Sequence, residues 1–281
     1  MAKKKKKVSG TFDKHQLYEA AVQAVDVDLP LFQRVFKKVS KRPMKTIRED
    51  FCGTAQFAAE WVRLGKNHEA WGIDLDKPTL DWAKQYRIGP LSEDEKARVH
   101  LVHENVLNVT GPKVDLVAAL NFSYSVFKDR KTLLEYFTRV RESLVDDGVF
   151  IVDVWGGPTS MQITSDKRDV AECEDIYGGK IPAFKYEWDQ SYFNAVDNHI
   201  VCHIHFKLPG QQKIKKAFTY DWRLWGLPEL RDVMIDAGFI SVDAWFDGWD
   251  EDEEDTDGNY QPVTEYEEMD AWVGYLVATK K

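Results

Sequence analysis

The chain has 281 residues, 43% hydrophobic and 30% charged, with a formal net charge of −9. That length holds one large α/β domain, or a core domain with an appendage, and supplies enough apolar residues for a sizeable core. The acidic balance opposes a polyanionic partner, and no apolar run reaches the length of a membrane span. The scattered Cys52, Cys173 and Cys202 exclude a disulfide framework or a Cys-based zinc site. A cytoplasmic location is expected.

Residues 1–11, with lysines at every position from Lys3 to Lys7, read as a solvated, disordered tail. Two helical pieces follow, "KHQLYEAAVQAV" and "LPLFQRVFKKV", the second opened by Pro30. Then the pattern alternates. "KTIREDF" is a strand and "TAQFAAEWVRL" a helix stopped by Gly65. "EAWGIDL" is a second strand, followed by a helix with Asp76 as N-cap and Pro78 in its first turn. "RVHLVHENV" and "VDLVAALNF" are the third and fourth strands. A long helix with Leu133, Leu134, Phe137, Val140 and Leu144 on one face ends near Gly148, before a fifth strand, "VFIVDVW". Apolar strands alternating with helices imply a parallel sheet covered on both faces.

The rhythm changes between residues 158 and 221. "KYEWDQSYF", "HIVCHIHFKL" and "KIKKAFTYDW" are strand-like without crossover helices, which predicts a small antiparallel insertion. A helix, "LPELRDVMIDAG", and closing strands "FISVDAWF" and "AWVGYLVATK" complete the chain, with an acidic loop at 247–258 between the last two. The expected divisions are therefore a tail (1–11), N-terminal helices with a nucleotide-type core (12–157), the insertion (158–221) and the end of the core (222–281).

Ligands of open α/β sheets bind beyond the carboxyl ends of the strands, where the strand order reverses. The first such turn is "EDFCGTA", residues 49–55. Placing the dinucleotide pattern G-x-G-x-x-G from position 51 finds Phe51, Gly53 and Gln56, one glycine of three. Glu49 and Asp50 would repel phosphates. They suit instead a cationic, phosphate-free ligand that crosses the loop at one glycine. Asp74 lies 21 residues after Gly53, about the ~20-residue spacing at which an acid meets ribose hydroxyls. "HENV" ends the third strand and "AALNFSYSVF" the fourth.

With these motifs in order at successive strand ends, residues 45–157 resemble the class I S-adenosylmethionine-dependent methyltransferases, and "YDWRLWGLPELRDVMIDAGF" resembles their late helix and strand. The family's acidic residue followed by x-G-x-G-x-G aligns with Glu49 to Ala55, where Phe51 and Ala55 replace two glycines. The resemblance implies a Rossmann-like, seven-stranded, mostly parallel sheet with helices on both faces, N-terminal helices and a small antiparallel lid. It implies S-adenosylmethionine as cofactor and S-adenosylhomocysteine as product. Carried over, the cofactor contacts fall on Glu49, Phe51, Cys52, Gly53 and Thr54 in the first turn and on Asp74 and Leu75 after the second strand. Asn105 and Val106 would meet the adenine, and Leu120 and Tyr18 complete the set.

Asn121-Phe122-Ser123-Tyr124 resembles, without its prolines, the N-P-P-Y loop of amino-methylating nucleic-acid enzymes, which makes Asn121 and Tyr124 the catalytic candidates. The insertion stands where members resembling glycine N-methyltransferase place a substrate lid, with Trp155, Tyr220 and Arg223 as acceptor-binding candidates. The expected acceptor is a small molecule methylated on N or O. The alternatives are a nucleic-acid or protein acceptor, a non-catalytic binder of the same cofactor, or, least supported, a dehydrogenase. His199, His203 and His205 share a strand face and the acidic loop echoes a calcium loop, but no metal is expected at either, since the histidine spacing and the loop's twelfth residue, Thr264, fit poorly.

Overall fold

The computed structural model describes residues 12–174, 178–250, 255–256, 258–267 and 269–281. The lysine run, and Glu253 and Asp257 of the acidic loop, lie outside the described residues. Two compact units form: Val25–Ser160 with Trp225–Lys281, and the described residues up to Ala24 with Met161–Leu224.

The smaller unit opens with α1 (Lys14–Val22), whose N-cap Asp13 accepts from the His15 N–H in a capping box with Gln16. The larger unit opens with α2 (Val25–Ser40), which starts before Pro30 rather than at it. Asp26 and Asp28 in its first turn meet the positive end of the helix dipole, and Pro30 sits early enough that only the Asp26 carbonyl is deprived of an N–H. There follow β1 (Thr46–Asp50), α3 (Gln56–Arg63), β2 (Glu69–Asp74), α4 (Lys77–Ala83), α5 (Glu93–Lys96), β3 (Val99–His103), β4 (Val114–Ala119), α6 (Arg130–Ser143) and β5 (Leu144–Gly156). The α6 helix stops at Ser143, five residues short of the expected Gly148. Leu144 is fully buried and pairs with Val114, so the backbone is already extended there, and a register shift absorbs the residues up to Val149.

The smaller unit resumes with β6 (Thr164–Val170), β7 (Cys173–Glu174), β8 (Lys180–Ile181), β9 (Phe184–Asn194), β10 (His199–Lys207) and β11 (Ile214–Arg223). The larger ends with α7 (Leu227–Asp236), β12 (Ser241–Phe246), β13 (Trp249–Asp250), β14 (Asp255–Thr256), β15 (Gln261–Val263) and β16 (Trp272–Thr279).

The large sheet runs β15-β12-β16-β5-β4-β1-β2-β3, with β1 to β5 mutually parallel and β16 antiparallel to β5. The short edge strand β15 makes eight strands where seven were expected. One face packs on α2, α3 and α4 through Phe32, Phe36, Phe57, Trp61 and Leu80, and the other on α6 and α7 through Phe137, Val140, Leu230 and Val233. The smaller sheet runs β11-β10-β9-β6. Its apolar face, with Phe184, Ile204 and Phe206, packs on Leu17 and Tyr18 of α1. That apolar packing groups α1 with the insertion, whereas the sequence reading grouped it with the parallel core. Among the described residues no helix is long and apolar enough to cross a membrane.

Alternation along β1 sends Ile47 and Glu49 to one face and Arg48 and Asp50 to the other. Arg48 and Asp50 are both fully buried, with Nε–Oδ1 and Nη2–Oδ2 at 2.9 Å, and the Tyr136 hydroxyl donates to the same Oδ2 at 2.9 Å. Only the Nη2 contact is aligned as a hydrogen bond, and Arg48 Nη1 has no partner. Such a pair gains little over an apolar pair, but half of it alone is costly. Arg48→Leu should therefore lose about 3–5 kcal/mol of unfolding free energy and Arg48→Leu/Asp50→Leu should regain most of it, as read by urea unfolding of the three proteins.

Candidate functional site

Strands β1 and β4 are neighbours whose following connections run in opposite directions across the sheet, so their carboxyl ends form the switch point of the fold. In the turn after β1, φ is +60° at Phe51, +51° at Gly53 and +58° at Ala55. Left-handed backbone at a non-glycine residue costs about 1–2 kcal/mol, so this turn must be held. Cys52 N–H donates to the Ile73 carbonyl at 3.0 Å and Ala55 N–H to the Cys52 carbonyl at 2.8 Å. The Asp74 carboxylate accepts from Gly53 N–H and Asp76 N–H, both at 2.8 Å, and so ties the first turn to the second.

The Phe51 ring lies 5.9 Å from Phe127 and 5.7 Å from Tyr136. The half-buried ring packs against the core on the α6 face, whereas the sequence expected it among the cofactor contacts. Cys52 and Thr54 are buried, and burial first, with nearby carboxylates second, pushes the Cys52 thiol well above its usual range, as suits a packing residue. A Cβ at Gly53, by contrast, would meet nothing within 4 Å. That is the open side of the turn.

Of the two carboxylates in "EDFCGTA", Asp50 is spent on Arg48. Glu49 is 4% exposed, and its Oε2 has no hydrogen-bond partner. Burial, with Asp28, Asp74 and Asp50 adding to it, holds this carboxyl well above the usual range. Asp28 of α2 is pushed up to about 6 because desolvation outweighs the Tyr275 hydroxyl, which donates to it at 2.6 Å. Asp74 is raised by burial as well, against the hydrogen bonds it accepts. Leu75 beyond it is 65% exposed. Asp76 is the N-cap residue of α4, though its carboxylate accepts from the Thr79 hydroxyl, at 2.7 Å, rather than from a backbone N–H.

After β3, Asn105 Oδ1 accepts from Leu107 N–H at 3.0 Å and caps a 3₁₀ turn that begins at the buried Val106. Its amide nitrogen is left to face other partners, as a donor. After β4, Leu120 is buried, and Asn121 and Phe122 are both left-handed, at φ +54° and +58°. Asp153 of β5 accepts from both of their N–H groups, at 2.7 and 2.9 Å, and burial raises it to about 7 despite these bonds. The Asn121 side chain makes no hydrogen bond to the described residues. Tyr124 is 1% exposed and its hydroxyl donates to the Asp153 carbonyl at 2.9 Å, so it packs the turn from beneath and is corrected from catalytic candidate to support. The Trp155 ring lies 4.5 Å from that of Phe122.

Tyr18, Tyr220 and Arg223 fall in the smaller unit. Tyr18 and Tyr220 are hydrogen-bonded to each other, and Tyr220 stacks on Trp222 at 4.2 Å and on Trp188 at 5.8 Å. Arg223, half-buried, ends β11. The strand histidines face polar neighbours: His199 with Asp221 at 2.5 Å, His203 with Thr219 at 3.0 Å and His205 with Asp189 at 3.3 Å. Among the described residues no three His, Cys, Asp or Glu side chains are grouped to hold a metal. Sequence reasoning missed Asp28 and Asp153. The signal was present in both, an acid inside an apolar run.

No protein-family model matches the chain, and no curated protein matches its sequence. Solved structures do match it. An S-adenosylmethionine-dependent methyltransferase from Clostridium acetobutylicum superposes with a TM-score of 0.63 at 15% identity, over 94% of this chain and 96% of that one. CalS10, an amino pentose methyltransferase of Micromonospora echinaspora solved with S-adenosylmethionine bound, gives 0.66 at 11% identity over 98% and 99%. The sugar N-methyltransferase KedS8 from a Streptoalloteichus species gives 0.62 at 14% identity over 99% and 98%. The chain shares their fold. In this chain the first turn has left-handed backbone at residues 51, 53 and 55, although two of the three carry side chains.

Relief of strain should therefore differ between those two. Ala55→Gly removes one buried methyl worth about 0.8 kcal/mol and about as much strain, leaving stability within about 1 kcal/mol of the parent. Phe51→Gly removes the ring contacts as well and should cost at least about 2 kcal/mol. Chemical denaturation of the two variants checks the contrast.

Proposed function

We propose that the protein is an S-adenosylmethionine-dependent methyltransferase that acts on a small-molecule acceptor, at N or O, and releases S-adenosylhomocysteine. The observation that carries the reading is Glu49 Oε2, a buried carboxylate oxygen with no donor in the protein, at the end of β1 and within the field of Asp28 and Asp74. Phosphates are repelled from such a place, and a cation completes it. The cofactor supplies, when bound, an electrophilic methyl group on a sulfonium and carries an ammonium but no phosphate.

Glu49 is the acceptor for that ammonium. The open side of Gly53 lets the ligand lie against backbone. The Asp74 carboxylate, held by the Gly53 and Asp76 N–H groups, has lone pairs left for a ribose hydroxyl. Asn105 presents an amide donor, which suits a ring nitrogen of adenine. At the end of β4 the Asn121 amide is free to orient an acceptor, and the two N–H bonds to Asp153 fix its position. Displacement at a methyl carbon asks mainly for alignment, so few acid–base residues are required. The names of the fold relatives, which include a sugar N-methyltransferase and an amino pentose methyltransferase, support a small acceptor, and the net charge of −9 opposes a nucleic acid.

Calorimetry should detect binding of S-adenosylmethionine and none of nicotinamide dinucleotides. Glu49→Gln should weaken the former at least about tenfold, and unchanged affinity would remove the carrying observation. Incubation with methyl-labelled cofactor and a metabolite extract should put label into small molecules, as read by mass spectrometry; label confined to RNA or protein contradicts the acceptor class.

The carboxyl groups also predict a pH dependence. Asp28 at about 6 and Asp153 at about 7, against 3.8 in the unfolded chain, and Glu49, also raised, retain protons on folding. Their contribution to stability is complete below about pH 4 and is lost as pH rises through 6 to 7, because the ionised forms are disfavoured in the fold. A bound cation favours those ionised forms. Cofactor affinity should thus increase from about pH 5.5 to 7.5, with proton release measurable near pH 6.5 by calorimetry in buffers of different ionisation enthalpy.

A further inference from the structure

A cavity of about 330 Å³ opens beside the end of β5, walled by Trp155, Tyr260, Tyr266, Met269 and Trp272, with Asp247 in its lining. The sequence places Asp247 at the start of the acidic loop, yet Asp247 is only 8% exposed. The Tyr260 hydroxyl is hydrogen-bonded to it. Among the described residues, nothing basic lines the space.

The walls are set by specific packing. Phe246 stacks on Tyr266 at 4.0 Å and meets Trp272 edge-on at 5.3 Å, which fixes both rings. Trp272 pairs with Gly156 across the β5–β16 ladder, and its indole lies where a Cβ on Gly156 would stand. Gly274 makes the same allowance for Phe246, since a Cβ there would come within 2.7 Å of the ring. Arg34 of α2 holds the Asn259–Tyr260 backbone from outside, with Nη2 donating to the Tyr260 carbonyl at 2.9 Å and Nη1 to Asn259 Oδ1 at 3.1 Å.

Four aromatic side chains around a buried carboxylate favour a positive charge over a neutral group of the same shape, because ring faces and carboxylate all present negative potential. The cavity is of the size that takes small ligands or parts of them. Through Trp155, whose ring meets Phe122, it adjoins the Asn121–Phe122 turn. A protonated or fully alkylated nitrogen has no lone pair to accept a methyl group, so the cation held here is not the reacting atom.

We infer that this cavity is an ammonium-binding subsite, and that the methyl acceptor is a small molecule bearing a cationic nitrogen separate from the atom methylated. The assignment to an acceptor rests on the methyltransferase reading above; the binding of a cation by the cage does not.

The test uses the full chain with tetramethylammonium chloride and choline as probes, 3,3-dimethyl-1-butanol as the uncharged counterpart of choline, and sodium chloride as the ionic-strength control. Binding is followed by tryptophan fluorescence and calorimetry. The two cations should bind and the neutral alcohol should not. Asp247→Asn and Trp272→Leu should each weaken the cations at least about tenfold. Asp247→Asn guards against misfolding of the larger replacement. Absence of cation binding, equal binding of the neutral alcohol, or indifference to both cage substitutions overturns the inference. S-adenosylmethionine affinity is measured in parallel and should survive Asp247→Asn. Loss of cofactor binding by the parent protein, with cation binding intact, would sink the methyltransferase reading and leave the cage standing.

Discussion

Backbone N–H groups donated to two carboxylates, Asp74 and Asp153, hold the turns that follow the central strands. Four of the five left-handed residues in those turns carry side chains, so the conformation is uphill without the clamps. The clamps also decide what faces outward. Gly53 presents bare backbone, Asn121 presents its amide, and Phe51 and Tyr124 are driven inward to support the floor.

The carboxylates at this end of the sheet have been satisfied in different currencies. Asp50 has a guanidinium, Asp74 and Asp153 have amides, and Asp28 and Asp247 have tyrosine hydroxyls. Amides and hydroxyls satisfy lone pairs without cancelling charge. Burial and mutual repulsion hold protons on Asp28, Asp153 and Glu49, and Glu49 keeps an oxygen that has no donor.

Much of this could be read from the letters. Apolar strands alternating with helices gave the parallel sheet, because burial on both faces leaves a continuous hydrophobic run. That Gly53 and Asp74 stand in adjoining strand-end turns was legible from their positions, and a hydrogen bond joins them. What failed depended on direction or on distant partners. Adjacent carboxylates on one strand must face opposite ways, yet both Glu49 and Asp50 were first given to the ligand. Tyr124 follows a strand as pocket residues do, and only the Asp153 carbonyl, 29 residues away, reveals it as packing. Asp153 itself was visible as an acid amid valines, but not the two amides that explain it. Pro30 looked like a helix start because its earlier turn, Val25 to Leu29, carries acids that cap by charge rather than by a standard Ser or Thr signature.

The three left-handed positions at 51, 53 and 55 have a consequence for how such loops are recognised. Glycine is the usual letter for that geometry, but the geometry is a set of torsion angles, and here phenylalanine and alanine meet it with help from neighbouring bonds. A pattern spelled in glycines passes over this loop, while one spelled in angles finds it intact. A left-handed turn can be built without glycine, provided that the cost at each such residue is carried by a carboxylate or a core contact nearby.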